Sequence, residues 1–342
     1  MGNKQVVLVT GASGFIAKHC IVKLLQEGYA VRGSLRSFDK ADAVRAAIAS
    51  KTSTDDLSFT VLNLNSDDGW DAAMKNCTFV QHVASPFPSA EPGHEDDLII
   101  PARDGAMRAM RAAAKAGVKR VVLTSSMAAI AYGQGRGEDY IYDEKDWSNI
   151  DGDIGAYLKS KTIAERAAWD FMESADAGAM ELSVINPGAV LGPLLDNSYS
   201  TSGALVGKLL KGEVPACPNI GFSCIDVRDV ADAHFAAMIK PKAAGRRYLC
   251  IGEYAWMIDI SKTLYEAGYK TPIKKLPDFM VHIFAKFDKT VRMIKPGLGK
   301  EAKCSNARLR KELGIEPRSL KEMTLSMAKT MTEFGVVTPK MR

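Results

Sequence analysis

The chain opens with the pattern of a buried strand, a glycine turn and an amphipathic helix, in that order. Residues 5–9 read QVVLV, an apolar run rich in β-branched side chains, which is typical of a strand covered on both faces. The turn TGASG follows at 10–14, and apolar residues then recur at helical spacing from Phe15 to Leu25. A strand buried on both faces needs helices on either side of its sheet, so this start favours an α/β fold.

The same alternation continues through the first half of the chain. Short apolar runs rich in β-branched residues alternate with segments that carry apolar residues at helical spacing. This order predicts an α/β fold with a Rossmann-type doubly wound parallel sheet, covered by helices on both faces. Further strands are predicted at 29–35, 58–64, 78–84, 120–126 and 182–187, and helices at 14–27, 39–50, 67–76, 94–116 and 156–174.

After Pro187 the alternation weakens. Residues 186–203 are rich in Gly, Pro and Ser and are predicted to be a connection, and one further strand–helix unit is predicted over 222–239. No flexible linker interrupts the chain, so we expect two lobes that share an interface. The predicted lobes are an NADP-binding Rossmann domain of residues 1–190 plus 223–250, and a smaller C-terminal substrate lobe of residues 191–222 plus 251–342.

Two glycines and an alanine in the first turn fit a dinucleotide. Gly11 allows the tight turn, Gly14 leaves room for a pyrophosphate against the backbone, and Ala17 lets helix and strand pack closely. The start of the helix then offers free N–H groups and the positive end of its dipole to the phosphates. A plain strand–helix turn would need only one glycine. The turn is therefore predicted to bind a dinucleotide.

The second strand indicates which dinucleotide is bound. An acid at its end would meet a free ribose 2′-hydroxyl, but no acid occurs before Asp39, which is predicted to cap the next helix. Arg36 lies at the end of the strand, where a guanidinium can clamp a 2′-phosphate, and Lys40 can assist it. Arg32 lies two pleats earlier, a position compatible with a plain solvated face. These residues predict NADP(H) rather than NAD(H).

A single Tyr-x-x-x-Lys spacing occurs in the chain, and about one is expected by chance, so its context must decide its meaning. Tyr157 and Lys161 share one face of the predicted helix at 156–174. The small residues Ala164 and Ala168 continue that face, as in a helix packed against a sheet. Two polar residues on a solvated face would more often be followed by charges. The context favours a functional pair.

Carbonyl reduction explains why these residue types occur together. Hydride transfer leaves negative charge on the carbonyl oxygen, which then needs a proton. The pKa of free tyrosine is about 10, and an adjacent ammonium such as Lys161 lowers it by stabilising the phenolate. Ser126, at the end of the strand 120–126, can donate a hydrogen bond to the developing alkoxide, although a turn serine is the common alternative. The predicted catalytic residues are Ser126, Tyr157 and Lys161, with Tyr157 as the proton donor.

Composition argues against several other classes of protein. The formal charge is +5 with acids and bases mixed along the chain, so no nucleic-acid partner is predicted. No apolar run approaches the length of a membrane span, so no membrane partner is predicted either. Six cysteines without a C-x-x-C pair and five scattered histidines indicate a cytoplasmic protein with reduced thiols and no metal site.

Several motifs taken together resemble a known family. TGxxGFIA, TSS, YxxxK, NPGAVLGP and DVRDVADAH occur in the order seen in the extended short-chain dehydrogenase/reductases of the NAD(P)-dependent epimerase/dehydratase superfamily. VRGSLRS, HVASPFP and YLKSKTIAERAAW resemble the branch that contains dihydroflavonol 4-reductase, cinnamoyl-CoA reductase and yeast-type aldehyde/ketone reductases. The resemblance implies an NADP-dependent oxidoreductase acting on CH–OH or carbonyl groups, with the catalytic roles at Ser126, Tyr157 and Lys161. The full set of expected cofactor contacts is Gly11, Ser13, Gly14, Phe15, Ile16, Arg36, Lys40, Asn63, Leu64, Val83, Ala84, Ser85, Thr124, Tyr157, Lys161, Pro187, Val190 and Ser202.

Three departures from the family pattern bear on the ligands. Asn63 stands where the family usually has Asp, and Ala131 stands where flavonoid-recognising members carry Asn. The chain reads GAYLKSK in place of the signature that plant cinnamoyl-CoA reductases show around the tyrosine. The resemblance therefore implies a broad aldehyde or ketone reductase. Substrate contacts are expected at Phe87, Met127 and Tyr132, and the two aromatics are equally compatible with plain packing.

Two other functions remain open from the sequence. One is a hydroxysteroid dehydrogenase or sugar-nucleotide epimerase/dehydratase on the same scaffold, although Arg36 disfavours sugar-nucleotide enzymes, which usually carry an acid there. The other is a non-catalytic NADP-sensing regulator, which would have no need of Ser126, Tyr157 and Lys161. The leading hypothesis is a reversible NADPH-dependent carbonyl reductase. It is expected to be a monomer or homodimer that acts on a small aldehyde or ketone.

Overall fold

The larger sheet determines the architecture of the protein. The structure is a computed structural model that describes residues 4–86, 93–284 and 297–342. The strands of this sheet are β1 (Val6–Val9), β2 (Ala30–Leu35), β3 (Leu57–Val61), β4 (Cys77–His82), β5 (Arg120–Thr124), β6 (Glu181–Pro187) and β9 (Arg246–Cys250). All seven are parallel, in the order β3-β2-β1-β4-β5-β6-β9. The predicted Rossmann-type sheet is confirmed.

Helices cover both faces of this sheet. The helices in the described ranges are α1 (Phe15–Gln26), α2 (Ala41–Ala49), α3 (Trp70–Met74), α4 (Asp96–Lys115), α5 (Gly155–Met172), α6 (Thr201–Lys211), α7 (Val227–Ile239), α8 (Met257–Glu266), α9 (Asp278–Phe284) and α10 (Leu320–Glu333). Of these, α6, α8 and α10 pack on a second, smaller sheet and on each other. Alternate residues of β1 explain the layering. Val7 and Val9 belong to the core shared with α1 and α7, whereas Leu8 belongs to the core shared with α4 and α5. The apolar run of β1 is thus buried on both faces, as its composition predicts.

A second, smaller sheet follows the last predicted strand of the first half. It consists of β7 (Ala189–Leu191), β8 (Gly221–Asp226) and β10 (Tyr254–Trp256), in the order β10-β8-β7. The predicted strand–helix unit is β8 followed by α7, but β8 pairs in the small sheet while α7 packs on α1. One unit therefore contributes to both layers, and the division into two lobes stays a prediction.

Two local predictions are wrong. The predicted connection 186–203 contains the start of α6, because Ser200 accepts a hydrogen bond from Gly203 N at 3.1 Å and so caps a helix. Asp39 does not cap α2. It lies inside a 3₁₀ turn at Phe38–Lys40, where its carboxylate accepts from Ser37 Oγ at 2.8 Å. In both places a serine hydroxyl makes the local hydrogen bond that sets the chain direction.

Arg120, the first residue of β5, joins the sheet to the end of α7. Its guanidinium is buried and donates hydrogen bonds to three carbonyl oxygens there, those of Ala237 at 2.8 Å, Met238 at 3.1 Å and Lys240 at 2.7 Å. Glu181 supplies the counter-charge, with Arg120 Nη2 at 2.6 Å from its carboxylate. The last carbonyls of α7, which have no partner within the helix, are thereby satisfied.

Candidate active site

The glycine turn between β1 and α1 is shaped to receive a ligand. Gly11 has φ +70°, and a Cβ on it would lie 3.0 Å from the Cβ of Ala84, so no other residue fits without strain. The turn is closed by hydrogen bonds from Gly14 N to Gly11 O at 2.8 Å and from Gly11 N to Ser34 Oγ at 3.1 Å. Gly14 is the N-cap of α1 and has no side chain to satisfy the first N–H groups. These groups fit the pyrophosphate of a dinucleotide.

The other predicted residues of the turn and the start of α1 differ in their burial. Ser13 and Ile16 are half-buried, whereas Phe15 is buried and Ala17 is fully buried. Ala17 therefore provides the close helix–strand packing, as predicted.

Lys18, on the next position of α1, is a residue that sequence reasoning missed. Its side chain is fully buried and forms an ion pair with Asp196, which lies between β7 and α6. Burial lowers the pKa of Lys18, and the carboxylate of Asp196 opposes that effect. The pair joins the helix of the predicted cofactor site to the segment that leads into α6.

The predicted 2′-phosphate residues lie beyond the carboxyl end of β2. Arg36 and Lys40 are both exposed there. Arg32 is not on a solvated face. It is half-buried and donates from Nη1 to the carbonyl oxygens of Ala73 at 2.6 Å and Lys75 at 2.9 Å. Arg32 thus holds the end of α3 against β2, and the basic groups available to a phosphate here are Arg36 and Lys40.

The segments after β3 and β4 form the next part of the predicted cofactor site. Asn63 is exposed, and its Oδ1 accepts from Asn65 N at 3.0 Å. Leu64 is half-buried, and its carbonyl accepts from Arg108 Nη1 at 2.9 Å. Val83, Ala84 and Ser85 follow β4 and are half-buried.

Ala84 is fixed by a hydrogen bond between strands. Its N–H donates to Thr10 Oγ1 at 3.0 Å, and the same hydroxyl lies 2.9 Å from His82 Nδ1. Thr10 N in turn donates to Gln81 O at 3.1 Å. The chain that leaves β4 is therefore held directly against the glycine turn.

The three predicted catalytic residues lie together. Ser126 follows β5 and accepts a hydrogen bond from Ala128 N at 3.1 Å. Its side chain is also hydrogen-bonded to that of Tyr157. Lys161 follows Tyr157 by one turn of α5, and its Nζ lies 5.9 Å from the centre of the Tyr157 ring. A hydroxyl, a phenol and an ammonium thus meet beside the carboxyl end of the sheet.

Burial sets the charges of this group. Burial raises the pKa of Tyr157, and the hydrogen bond from Ser126 opposes that rise. The net direction is opposite to the lowering expected from Lys161, because burial is the largest influence on the Tyr157 pKa and the opposing influence comes from Ser126. Burial also lowers the pKa of Lys161 to about 8, against the opposing effect of the Glu165 carboxylate. Lys161 therefore changes its charge much nearer to neutral pH than an ordinary lysine.

A small cavity connects the predicted residues of three elements. Ala84 and Ser85 reach it from the end of β4, Thr124 from the end of β5 and Lys161 from α5. Its remaining lining is His82, Ala102, Ala106, Leu123, Ser125, Ala164 and Glu165.

The hydroxyl of Thr124 is already engaged within the protein. His234 is buried, which lowers its pKa to about 4, so its ring is neutral. Its Nδ1 lies 2.7 Å from Val230 O, which can only accept, so Nδ1 carries the proton. Nε2 then accepts the Thr124 hydroxyl at 2.6 Å. Thr124 can therefore offer a ligand only the lone pairs of its oxygen.

The predicted contacts at the end of β6 and beyond it begin beside Ser126. Pro187 and Val190 are buried, and Ser126 Oγ donates a long hydrogen bond of 3.5 Å to the carbonyl of Pro187. Ser202 is half-buried in the first turn of α6. The helix that the sequence did not predict thus carries one of the predicted cofactor residues.

The expected substrate residues differ in their positions. Met127 is buried next to Ser126. Tyr132 is half-buried, and burial raises its pKa to about 12, with smaller contributions from Cys304 and Tyr157. Phe87 lies outside the described residues.

The described ranges 4–86, 93–284 and 297–342 also bear on membrane and metal binding. No helix in these ranges is long and apolar enough to cross a membrane. No group of three or more His, Cys, Asp or Glu side chains in them is arranged to hold a metal ion.

Comparison with known proteins places the chain in a family. Residues 7–252 match the model of the NAD dependent epimerase/dehydratase family. Cinnamoyl-CoA reductase 1 of Oryza sativa subsp. japonica is 34% identical over 336 residues, which cover 95% of this chain and 91% of that protein. The yeast methylglyoxal/isovaleraldehyde reductase Gre2, in a crystal structure with NADPH, is 29% identical with a TM-score of 0.78, covering 97% of this chain and 100% of that one.

A second solved structure gives the same result. Gre2 from Candida albicans, in complex with NADPH, is 26% identical with a TM-score of 0.80, and the match covers 96% of this chain and 99% of that one. The family match spans the glycine turn, β5 with Ser126, and α5 with Tyr157 and Lys161. The chain therefore belongs to the NAD-dependent epimerase/dehydratase family, in the extended short-chain dehydrogenase/reductase branch that contains these oxidoreductases.

Proposed function

We propose that the protein is an NADPH-dependent carbonyl reductase that reduces an aldehyde or ketone to an alcohol, reversibly. The observation that carries the proposal is the hydrogen-bonded pair of Ser126 and Tyr157 beside the buried ammonium of Lys161. The similar proteins named above are reductases, and the Gre2 structures are complexes with NADPH. This chain has the same fold over nearly its whole length.

The cofactor is proposed to lie along the carboxyl edge of the large sheet. The turn at Gly11 and Gly14 receives the pyrophosphate, and the 2′-phosphate lies at the exposed Arg36 and Lys40. The reduced nicotinamide supplies the hydride. The remaining chemistry belongs to side chains of the protein.

Tyr157 is proposed to donate the proton to the carbonyl oxygen. Ser126 shares a hydrogen bond with it and can stabilise the negative charge that develops on that oxygen. When Tyr157 has given up its proton, the ammonium of Lys161 stabilises the phenolate that remains. A buried phenol is a weak acid on its own, so this neighbouring positive charge is essential to the step.

The substrate is proposed to be a small aldehyde or ketone without a specific carrier group. Met127 directly follows Ser126, and Tyr132 packs against the apolar cluster to which Met127 belongs. The departures at Ala131 and in GAYLKSK support this class over a dihydroflavonol or a cinnamoyl-CoA thioester.

The test is oxidation of NADPH with a panel of aldehydes and ketones, followed by chiral analysis of the alcohols. Tyr157→Phe should lower kcat by roughly 10²- to 10⁴-fold, the usual contribution of a general acid, while NADPH binding measured by fluorescence persists. Tyr265→Phe, on α8, is the matched control and should keep full activity. Tight NADPH binding with no turnover of any carbonyl would instead favour a cofactor-sensing protein.

A further inference from the structure

Glu165 is a buried carboxylate one turn beyond Lys161 on α5, and its side chain is 0% exposed. Its Oε2 accepts from Ser125 Oγ at 2.5 Å and from Asn186 Nδ2 at 2.7 Å. Asn186 Nδ2 also donates to the backbone oxygen of Ser126 at 3.1 Å. Glu165 Oε2 is thus hydrogen-bonded to Ser125, the residue before Ser126, and to Asn186, whose amide is in turn hydrogen-bonded to the Ser126 backbone.

The other oxygen is held from β9. Oε1 accepts from Arg247 Nε at 2.5 Å and from Trp169 Nε1 at 3.3 Å. Arg247 is buried, stacks on Trp147 with its guanidinium carbon 3.7 Å from the ring centre, and donates to two carbonyl oxygens in the segment 144–146. Because Arg247 is held by the Trp147 ring and by the two carbonyls that its Nη1 meets, the carboxylate that its Nε binds is held in place as well.

Charged groups approach Lys161 from a limited number of directions. His82 of β4 is one neighbour, and burial keeps it neutral with a pKa of about 4. Tyr157 and Glu165 are the neighbours of Lys161 on α5. The α4 side of the cavity is lined by two alanines, and the end of β5 contributes hydroxyls. Arg247 of β9 lies behind Glu165. Among the described residues that line this cavity, Glu165 is the one carboxylate.

We propose that Glu165 is a positioning residue of the reaction: its fixed carboxylate keeps Lys161 in the ammonium form and holds the backbone at Ser126, and so sets the upper pH limit of carbonyl reduction. This inference rests on the proposed function, because Glu165 acts only through Lys161 and Ser126. It contacts neither substrate nor cofactor in the proposal.

The direction of the effect follows from electrostatics. A nearby negative charge favours the protonated form of a lysine, so it raises the lysine pKa. Burial has already brought the pKa of Lys161 down to about 8, close to the working range, and Glu165 opposes that effect. Removing the carboxylate lowers the pKa of Lys161 further, and the ammonium is then lost at a lower pH. Tyr157, whose pKa burial raises, loses its proton only at higher pH.

The experiment is the pH profile of kcat for NADPH oxidation with an aldehyde. In Glu165→Gln we expect the alkaline limb to move down by roughly one pH unit, the order of effect that a neighbouring opposite charge has on a pKa. Glu165→Asp keeps the charge and should leave the limb near its original position. An unchanged limb in Glu165→Gln would overturn the inference.

Folding is controlled with a second variant. Glu165→Gln leaves the Arg247 guanidinium buried without its counter-charge, which can destabilise the fold. The double variant Glu165→Gln/Arg247→Met removes both charges and is checked by thermal unfolding and by NADPH affinity from fluorescence. It should still shift the limb down, by less than Glu165→Gln alone, because removing the more distant positive charge of Arg247 offsets part of the effect. An unshifted limb in this folded variant overturns the inference.

Two comparisons separate this inference from the proposed function. Glu95→Gln removes a half-exposed carboxylate that is paired with Lys159 of α5 at 2.8 Å, and it should leave the limb unchanged. If Tyr157→Phe retains turnover, the proposed function itself is wrong. If Tyr157→Phe is inactive while Glu165→Gln keeps the original limb, only the role of Glu165 is wrong.

Discussion

At the scale of single residues, the candidate site depends on how each polar group is already engaged. Ser126 Oγ accepts from Ala128 N, and its own proton meets the carbonyl of Pro187 only at 3.5 Å, the long limit of a hydrogen bond, so that proton can be shared with Tyr157. The Thr124 hydroxyl, in contrast, donates its proton to His234. Two neighbouring hydroxyls at the same strand end therefore have different chemistry. The one that can still donate is the one beside the phenol.

Arg36→Ala should lower kcat/KM for NADPH by roughly 10- to 100-fold, the worth of a charge-assisted hydrogen bond, and leave the value for NADH nearly unchanged. Steady-state rates with each cofactor measure this. Arg32→Ala, on the strand that leads to Arg36, is the matched control: it should lower the free energy of unfolding, because two carbonyls lose their donor, without altering cofactor preference. If the unmodified protein uses NADH as well as NADPH, Arg36 does not have the proposed role.

Gly11→Ala should lose NADPH affinity and stability together. The new Cβ would lie 3.0 Å from the Cβ of Ala84 in a backbone with φ +70°, a strain of about 1–3 kcal/mol. Gly117→Ala is a close control, since its φ is +69° but a Cβ there meets nothing within 4 Å. It should lose stability yet bind NADPH normally, as measured by urea unfolding and fluorescence titration. Equal NADPH affinity in both variants would contradict the role of the Gly11 turn.

The functional residues that the sequence could predict are those whose roles depend on residues close to them in the chain. The glycine turn and the Tyr157–Lys161 spacing are determined by a few consecutive residues and one helical turn. Glu165 also follows Lys161 at helical spacing, but its partners Ser125, Asn186 and Arg247 are 40, 21 and 82 residues away in sequence. Nothing local marks a glutamate as buried, because only the folded sheet brings these donors to it.

At the scale of elements, tertiary packing determines the secondary structure at positions where local composition alone predicts a different one. Gly203 suggests a connection, yet it lies inside α6, where a Cβ would be 3.3 Å from the side chains of Met327 and Met331 on α10. Its role is close approach between helices rather than a turn. The strands β7 and β10, with three residues each, are too short to show a period. The long strands and helices of the first half were predictable because they carry full periods.

Arg120→Met should lower the free energy of unfolding by roughly 2–4 kcal/mol, because three carbonyls at the end of α7 lose their buried donor. Urea unfolding measures the change. Arg103→Met, on the exposed face of α4 with its ion pair to Asp104, should alter stability by less than about 1 kcal/mol. Similar losses in the two variants would show that Arg120 does not secure α7.

At the scale of the whole molecule, three histidines buried in separate places make stability depend on pH. His19, His82 and His234 each have a pKa lowered to about 4 by burial. Between about pH 4 and 6.5 the unfolded chain binds protons on these residues that the folded chain does not, so acid favours unfolding. The three residues lie on α1, β4 and α7, and their effect is therefore shared by the whole fold.

The free energy of unfolding should fall as pH is lowered from 6.5 towards 4, by up to about 1.4 kcal/mol per pH unit for each of these histidines. Urea unfolding at closely spaced pH values measures the slope. His94→Gln, at an exposed position, should leave the slope unchanged. Constant stability from pH 7 to 5 would contradict the neutral state of the buried rings.

The exposure of Arg36 and Lys40 has a practical consequence for protein engineering. Neither side chain makes a hydrogen bond or an ion pair with the part of the chain that the structure describes, so both can be exchanged without dismantling the fold. In the proposed binding mode, coenzyme preference is a separable trait that depends on these two surface positions. A library restricted to these two codons would search for an NADH-using reductase while sparing Arg32, which secures α3.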